Sequence, residues 1–145
     1  MQPKNRNVSI VDIYLSLIGG IKEYDQGSLG KVIDTQIKKS VLEFSKKYPD
    51  IFSVDVNEEI KIQAKSGASE RDVVEALNDL YSTIRNRLKE IMGEAGDGIL
   101  RNAGKGIYKE RLSEIKDLRI EFPGWFRDQM QKAIWIDCMI KVFKG

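Results

Sequence analysis

The chain has 145 residues, 41% of them apolar and 32% charged. That is long enough for one self-supporting core and too evenly balanced for a disordered chain or an integral membrane protein. Its 24 basic and 22 acidic residues leave a net charge of +2, so any affinity for polyanions would have to come from a local patch. Histidine is absent and cysteine occurs once, at Cys138, which excludes Ser-His and Cys-His nucleophile pairs, His-ligated haem, His-containing zinc sites and an internal disulfide.

A lone cysteine fits a reducing cytoplasm, and the start Met1-Gln-Pro-Lys-Asn-Arg6 lacks the apolar run of a signal peptide. The expectation is therefore a cytoplasmic single domain over 1–145, with 1–6 disordered and no membrane span, since no apolar run approaches the ~20 residues a span needs. Carboxylate, lysine or tyrosine chemistry stays open. With no catalytic signature present, however, the chain is expected not to be an enzyme and to hold neither cofactor nor metal.

In chain order, Ile10, Tyr14, Leu17, Ile18 and Ile21 recur at i, i+4, i+7, i+8 and i+11, one face of a helix over 8–24. Gly19 and Gly20 interrupt it, which points to close packing of a neighbour. Asp25-Gln-Gly27-Ser28 reads as a turn. Leu29, Ile33, Ile37, Val41 and Phe44 mark a second helix that ends before Tyr48-Pro49. The period then drops to two: Phe52, Val54 and Val56, and after Asn57-Glu-Glu59, Ile60, Ile62 and Ala64, predict a β-hairpin over 51–64 with one apolar face.

Ser69-Glu-Arg-Asp72 resembles a capping box, with the Ser69 hydroxyl placed to accept from a first-turn N–H. Val73, Leu77, Leu80, Tyr81, Ile84, Leu88 and Ile91 follow as the most regular helical stripe in the chain, stopped by Gly93. A fourth helix is expected from Leu100, Ala103, Ile107, Tyr108, Leu112 and Ile115. Leu118, Ile120 and Phe122 alternate as a strand would before Pro123-Gly124. After a helical 125–133, Ile134, Ile136, Cys138, Ile140 and Val142 alternate against Trp135, Asp137, Met139, Lys141 and Phe143. Strict alternation favours a strand there over a helix interrupted by Asp137.

These elements give an α+β class: about four main helices on a small antiparallel sheet made of the 51–64 hairpin and the C-terminal strands. The alternative is an all-α bundle with one β-hairpin. A shift of sixty-six positions aligns 27–44 with 93–110, a faint sign of duplication.

Five of the twelve glycines lie between Gly93 and Gly106. The run Gly98-Ile-Leu-Arg-Asn-Ala-Gly104-Lys105-Gly106 is no phosphate loop: five residues rather than four separate Gly98 from Gly104, and Gly106 stands where a hydroxyl must hold magnesium. A dinucleotide fingerprint fails as well, because GxGxxG is absent. What the run offers is an elbow that lets backbones approach, flanked by Arg101, Lys105 and Lys109 at i, i+4 and i+8. With Gly104 and Gly106, those residues are the candidate ligand or anion site, and a helix starting near Gly98 would add a partial positive charge.

Arg85, Arg87 and Lys89 extend the stripe towards nucleic acid, but Glu90, Glu94, Asp97 and Glu110 interleave opposite charge. Trp125, Phe126 and Trp135 are candidate partner-binding residues. Asp137 reads as an edge-strand aspartate facing water, and Cys138 as a small buried hydrophobe. The functional expectation is a regulatory or adaptor domain acting through protein contacts, with another protein or itself as a homodimer. A sensor of a small apolar or anionic ligand, held between the third and fourth helices and the sheet, is second, and nucleic-acid binding third.

Overall fold

The computed structural model describes residues 5–24, 30–57 and 59–144. Among them are six helices and one two-stranded antiparallel sheet, an α+β fold that is mostly helical: α1 (Arg6–Tyr24), α2 (Gly30–Lys47), β1 (Phe52–Val56), β2 (Ile60–Ala64), α3 (Glu70–Met92), α4 (Glu94–Glu110), α5 (Leu112–Leu118) and α6 (Gly124–Lys144). The expected turn at 25–28, the first residue of the second helix, Leu29, and the hairpin-tip residue 58 lie outside the described residues. So do 1–4 of the six residues expected to be disordered, while Arg6 opens α1 and its guanidinium bonds Glu70 and, at 3.1 Å, the Leu118 carbonyl.

Helices α1, α3 and α4 pack on one another; α2 lies on α3 and β1, β2 rests on α1, and α6 covers α4. The predicted stripes supply the core. Ile10, Tyr14, Leu17, Ile18 and Ile21 of α1, Ile33, Ile37, Val41 and Phe44 of α2, and Val73, Leu77, Leu80, Tyr81, Ile84 and Leu88 of α3 are all buried, because one apolar side chain per turn puts each set on a single side of its helix. The hairpin pairs Phe52 with Ala64, Val54 with Ile62 and Val56 with Ile60, so its apolar side chains share one face, and Phe52 stacks on Phe44 of α2 at 4.9 Å.

Ser69 caps α3 as its sequence implies, its hydroxyl accepting from the Asp72 N–H at 3.1 Å. Gly93, at φ 60°, closes α3 by donating its N–H to the Lys89 carbonyl at 2.7 Å. This one residue is the elbow. The expected elbow over the whole glycine run gives way to helix, since α4 begins at Glu94 rather than near Leu100.

Two expected strands are absent. Residues 118–122 carry the last residue of α5 and the loop after it; Leu118 and Phe122 are both buried, and Phe122 lies 5.4 Å from Tyr14 and 4.7 Å from Phe126. Alternation there reflects packing of a loop against the core. Residues 134–143 belong to α6, a continuous helix. The two-residue period was ambiguous because apolar side chains occupy most positions from 133 to 142, so no face is marked by sequence alone.

Candidate functional site

The glycine run works as packing. A Cβ on Gly96 would stand 2.8 Å from the Leu88 carbonyl oxygen, one on Gly104 would stand 3.1 Å from the Phe126 ring and 3.4 Å from the Met130 methyl, and one on Gly20 of α1 would stand 3.4 Å from the Ala103 carbonyl oxygen. Three helices thus approach α4 at its small residues. Gly98 and Gly106 have nothing within 4 Å and serve no contact.

The α4 N-terminus already carries its own anions. Glu94 and Asp97 lie in its first turn, and Asp97 pairs with Arg85 at 3.1 Å and Lys89 at 3.5 Å, so the partial positive charge expected near Gly98 meets carboxylates of the same chain. Arg87 pairs with Glu43. The three cations that extended the stripe towards nucleic acid are therefore each engaged.

Of the candidate anion ligands, Lys105 and Lys109 both contact one carboxylate, Asp137 of α6. Hydrogen bonds from Lys105 and then Lys109 hold the Asp137 carboxyl below the usual carboxylate range. Asp137 is thus an ionised helix residue clamped to α4, and neither an edge-strand aspartate nor a protonated acid. Arg101 lies one turn earlier on α4 and has no ion-pair partner among the described residues.

The three candidate partner residues separate. Phe126 is fully buried, with Tyr81, Tyr108, Phe122 and Trp125 around it. Trp125 is half-buried: its indole N–H donates to the Ser82 hydroxyl at 3.0 Å, and the Arg85 guanidinium lies over its ring at 4.9 Å. Both belong to the α3–α6 seam. Trp135 alone faces solvent, at 63% exposure, and it is not alone in type: Ile136, Ile140 and Val142 are exposed too, Val142 at 75%, and so is Cys138, which the sequence had suggested was buried.

Their placement follows from helix geometry. From Gly124 to Ala133, α6 turns Phe126, Met130 and Ala133 to the core and Arg127, Asp128, Gln131 and Lys132 to water. Beyond Ala133 the side aligned with that core face carries Asp137, Lys141 and an exposed Ile140, while the solvent side carries Trp135, Cys138 and Val142. Large apolar side chains thus reach the solvent side past Ala133. Sequence reasoning missed Ile136, Ile140 and Val142; reading 133–142 at 100° per residue would have set Trp135, Cys138 and Val142 on the side away from Phe126.

No protein-family model, curated protein or solved structure matches the chain.

A groove of about 790 Å³ lies between the starts of α1 and α3 and the end of α5. Its arginines Arg6 and Arg71 already pair with Glu70 and Glu75, which leaves Arg119 with Asp117 and Glu121 as a mixed-sign lining. None of Arg101, Lys105, Lys109, Gly104 and Gly106 lines this groove.

Proposed function

We propose that the chain is a non-enzymatic adaptor or regulatory domain that works by contact, in the cytoplasm, where an exposed thiol such as Cys138 stays reduced. Its contact surface is the C-terminal half of α6. The observation that carries this reading is the run of exposed apolar side chains beyond Ala133. A helix that only completes the fold keeps its large apolar side chains on the core, whereas this one ends with Trp135, Ile136, Ile140 and Val142 all exposed, and exposed apolar patches mark interaction sites. Another protein, or a second copy of the chain, is the occupant expected from sequence.

Photo-crosslinking tests the surface without presupposing the occupant. A benzophenone amino acid at position 135 abstracts C–H hydrogens from whatever covers it, protein or lipid. In cells, position 135 should yield specific adducts, while position 131, one turn earlier on the same side of α6, yields none. Equal labelling at the two positions refutes the reading.

A further inference from the structure

We propose that the outer edge of β2 is a self-association site: two copies of the chain pair there antiparallel about a two-fold axis at Ile62, joining their two-stranded hairpins into one continuous sheet. This edge and the α6 surface belong to different elements, so each contact can form without the other.

The hydrogen-bond phase of the hairpin sets which backbone groups are free. Lys65 donates its N–H to the Ile51 carbonyl at 2.7 Å, and Asn57 donates to the Glu59 carbonyl at 3.4 Å. The bonded pairs of the ladder are therefore 51 with 65, 53 with 63, 55 with 61 and 57 with 59. Ile60, Ile62 and Ala64 fall at the alternate positions, where N–H and C=O groups point away from β1. No other described residue bonds those outward groups. A row of unpaired donors and acceptors is a template for another strand.

Space for that strand lies beside it. A groove of about 400 Å³ separates α1 from this edge, lined by Val8, Val11 and Leu15 of α1 and by Ile62 and Ala64 of β2. Val8 is 62% exposed. The one carboxylate in the groove, Asp12, pairs with Arg111 at 3.0 Å, so an entering strand meets backbone groups and apolar side chains rather than an unpaired charge.

The side-chain pattern makes a second β2 the fitting strand. Antiparallel pairing about Ile62 sets Ile60 of each copy against Ala64 of the other and Ile62 against its own equivalent, and each such pair exchanges both N–H···O bonds. Apolar side chains of both copies then share the face turned towards the helices. On the exposed face, Glu59 of each copy stands opposite Lys65 of the other, and Lys61 stands opposite Gln63. Neither Glu59 nor Lys65 has an ion-pair partner among the described residues. Moving the axis by one residue either way sets Lys61 against Lys61 or against Lys65, and like charges directly opposite are destabilising. The same construction on β1, about Val54, sets Asp55 against Ser53 and brings no opposite charges together. Charge thus favours the β2 edge and fixes its register. A two-fold contact uses the same patch on both copies and closes at a dimer.

Analytical ultracentrifugation of the full chain tests this. The wild-type protein should be a dimer that dissociates on dilution. Glu59→Lys and Lys65→Glu each convert both cross-copy pairs into like charges, and each should weaken dimerisation at least about tenfold. Mixed in equal amounts, the two variants again place opposite charges across every pair and should form a mixed dimer close to wild-type affinity. The double variant should do the same with itself. Both positions are exposed, so circular dichroism should be unchanged.

A chain that stays monomeric at every concentration up to about 1 mM overturns the assignment of β2. So does a dimer whose affinity neither single variant moves, or a mixture of the two that stays monomeric. If such a dimer dissociates instead on Trp135→Ser, the contact lies on α6, and the contact reading of that helix stands while the edge assignment falls. Crosslinking at position 135 reads α6 by itself, so the two surfaces fail separately.

Discussion

Alanine at four glycines of α4 should move stability in opposite directions, although the substitution is the same and all four sites lie in one helix. Gly98 and Gly106 have nothing within 4 Å of the position a Cβ would take, so each replacement gains helix propensity, about 0.8–1.0 kcal/mol. The two sites are about 12 Å apart along the helix, and the double variant should gain close to 2 kcal/mol. Gly96 is different: a Cβ there meets the Leu88 carbonyl oxygen at 2.8 Å and its carbon at 2.9 Å. Those are backbone atoms at the end of α3 and cannot swing aside. Overpacking of this kind costs about 1–3 kcal/mol, so Gly96→Ala should lose about 1–2 kcal/mol after the gain in propensity. Gly104 lies between these cases. The Met130 methyl can turn away from a new Cβ, but the Phe126 ring at 3.1 Å is wedged among four other aromatic rings, and a net loss of up to ~1 kcal/mol is expected. Urea titrations followed by circular dichroism read all four variants, with melting shifts of about 2–5 °C per kcal/mol as a check. A Gly96→Ala midpoint as high as that of Gly106→Ala would refute the close approach of α4 to α3.

Three further outcomes follow from buried or strained groups. The Tyr81 hydroxyl is fully buried and has no hydrogen-bond partner among the described residues, so Tyr81→Phe should raise stability by about 1 kcal/mol, whereas Tyr14→Phe, which removes a bond to Asn78, should lower it by a similar amount; equal effects in a denaturant titration would contradict the assignment. Arg119 ends α5 at φ 55°, a left-handed position that favours glycine, and Arg119→Gly should stabilise by up to ~1 kcal/mol by the same assay. Stability should be nearly flat from about pH 5 to 9, because no histidine titrates there, and should fall at both ends. At the acid end, hydrogen bonds from Lys22 hold Asp34 low, and at Asp79 hydrogen bonds from Lys47 and Tyr48 outweigh the opposing effect of burial. With Asp137, these carboxylates stabilise the fold above the usual carboxylate pKa, and that stability is lost as pH falls through their lowered values. At the alkaline end, burial raises Tyr14 and Tyr81, so the stability they contribute is intact below the ordinary tyrosine value of about 10 and declines above it. Denaturation midpoints measured across pH that keep rising above pH 10 would contradict their burial.

Much of the fold was legible in the sequence wherever a local rule had one solution. Ser69 three residues before Asp72 could cap only one helix start, the alternation from Phe52 to Ala64 could close only as a hairpin, and the seven-residue stripe from Val73 to Ile91 had one apolar side. The candidate site was legible only in part. Arg101, Lys105 and Lys109 do line one side of α4, and Trp135 does face solvent, yet Asp137 was not visible as the partner of the two lysines, because 32 and 28 residues of sequence separate groups that meet only when α6 docks.

What sequence determined by itself, then, is short-range: periods, caps, breaks, and the chemistries excluded by lacking histidine. The tertiary structure decided two things that no local pattern contains. It made 134–143 a helix, since Phe126 and Met130 seated against Gly104 start α6 along α4 and the Lys105–Asp137–Lys109 cluster keeps it there. It also decided where the core ends along that helix. A side chain is exposed or buried according to whether a neighbouring element continues beside it: past Ala133, Trp135, Ile136 and Val142 stand in water away from the core side, and Ile140, two turns beyond Ala133 on its own side, is exposed as well.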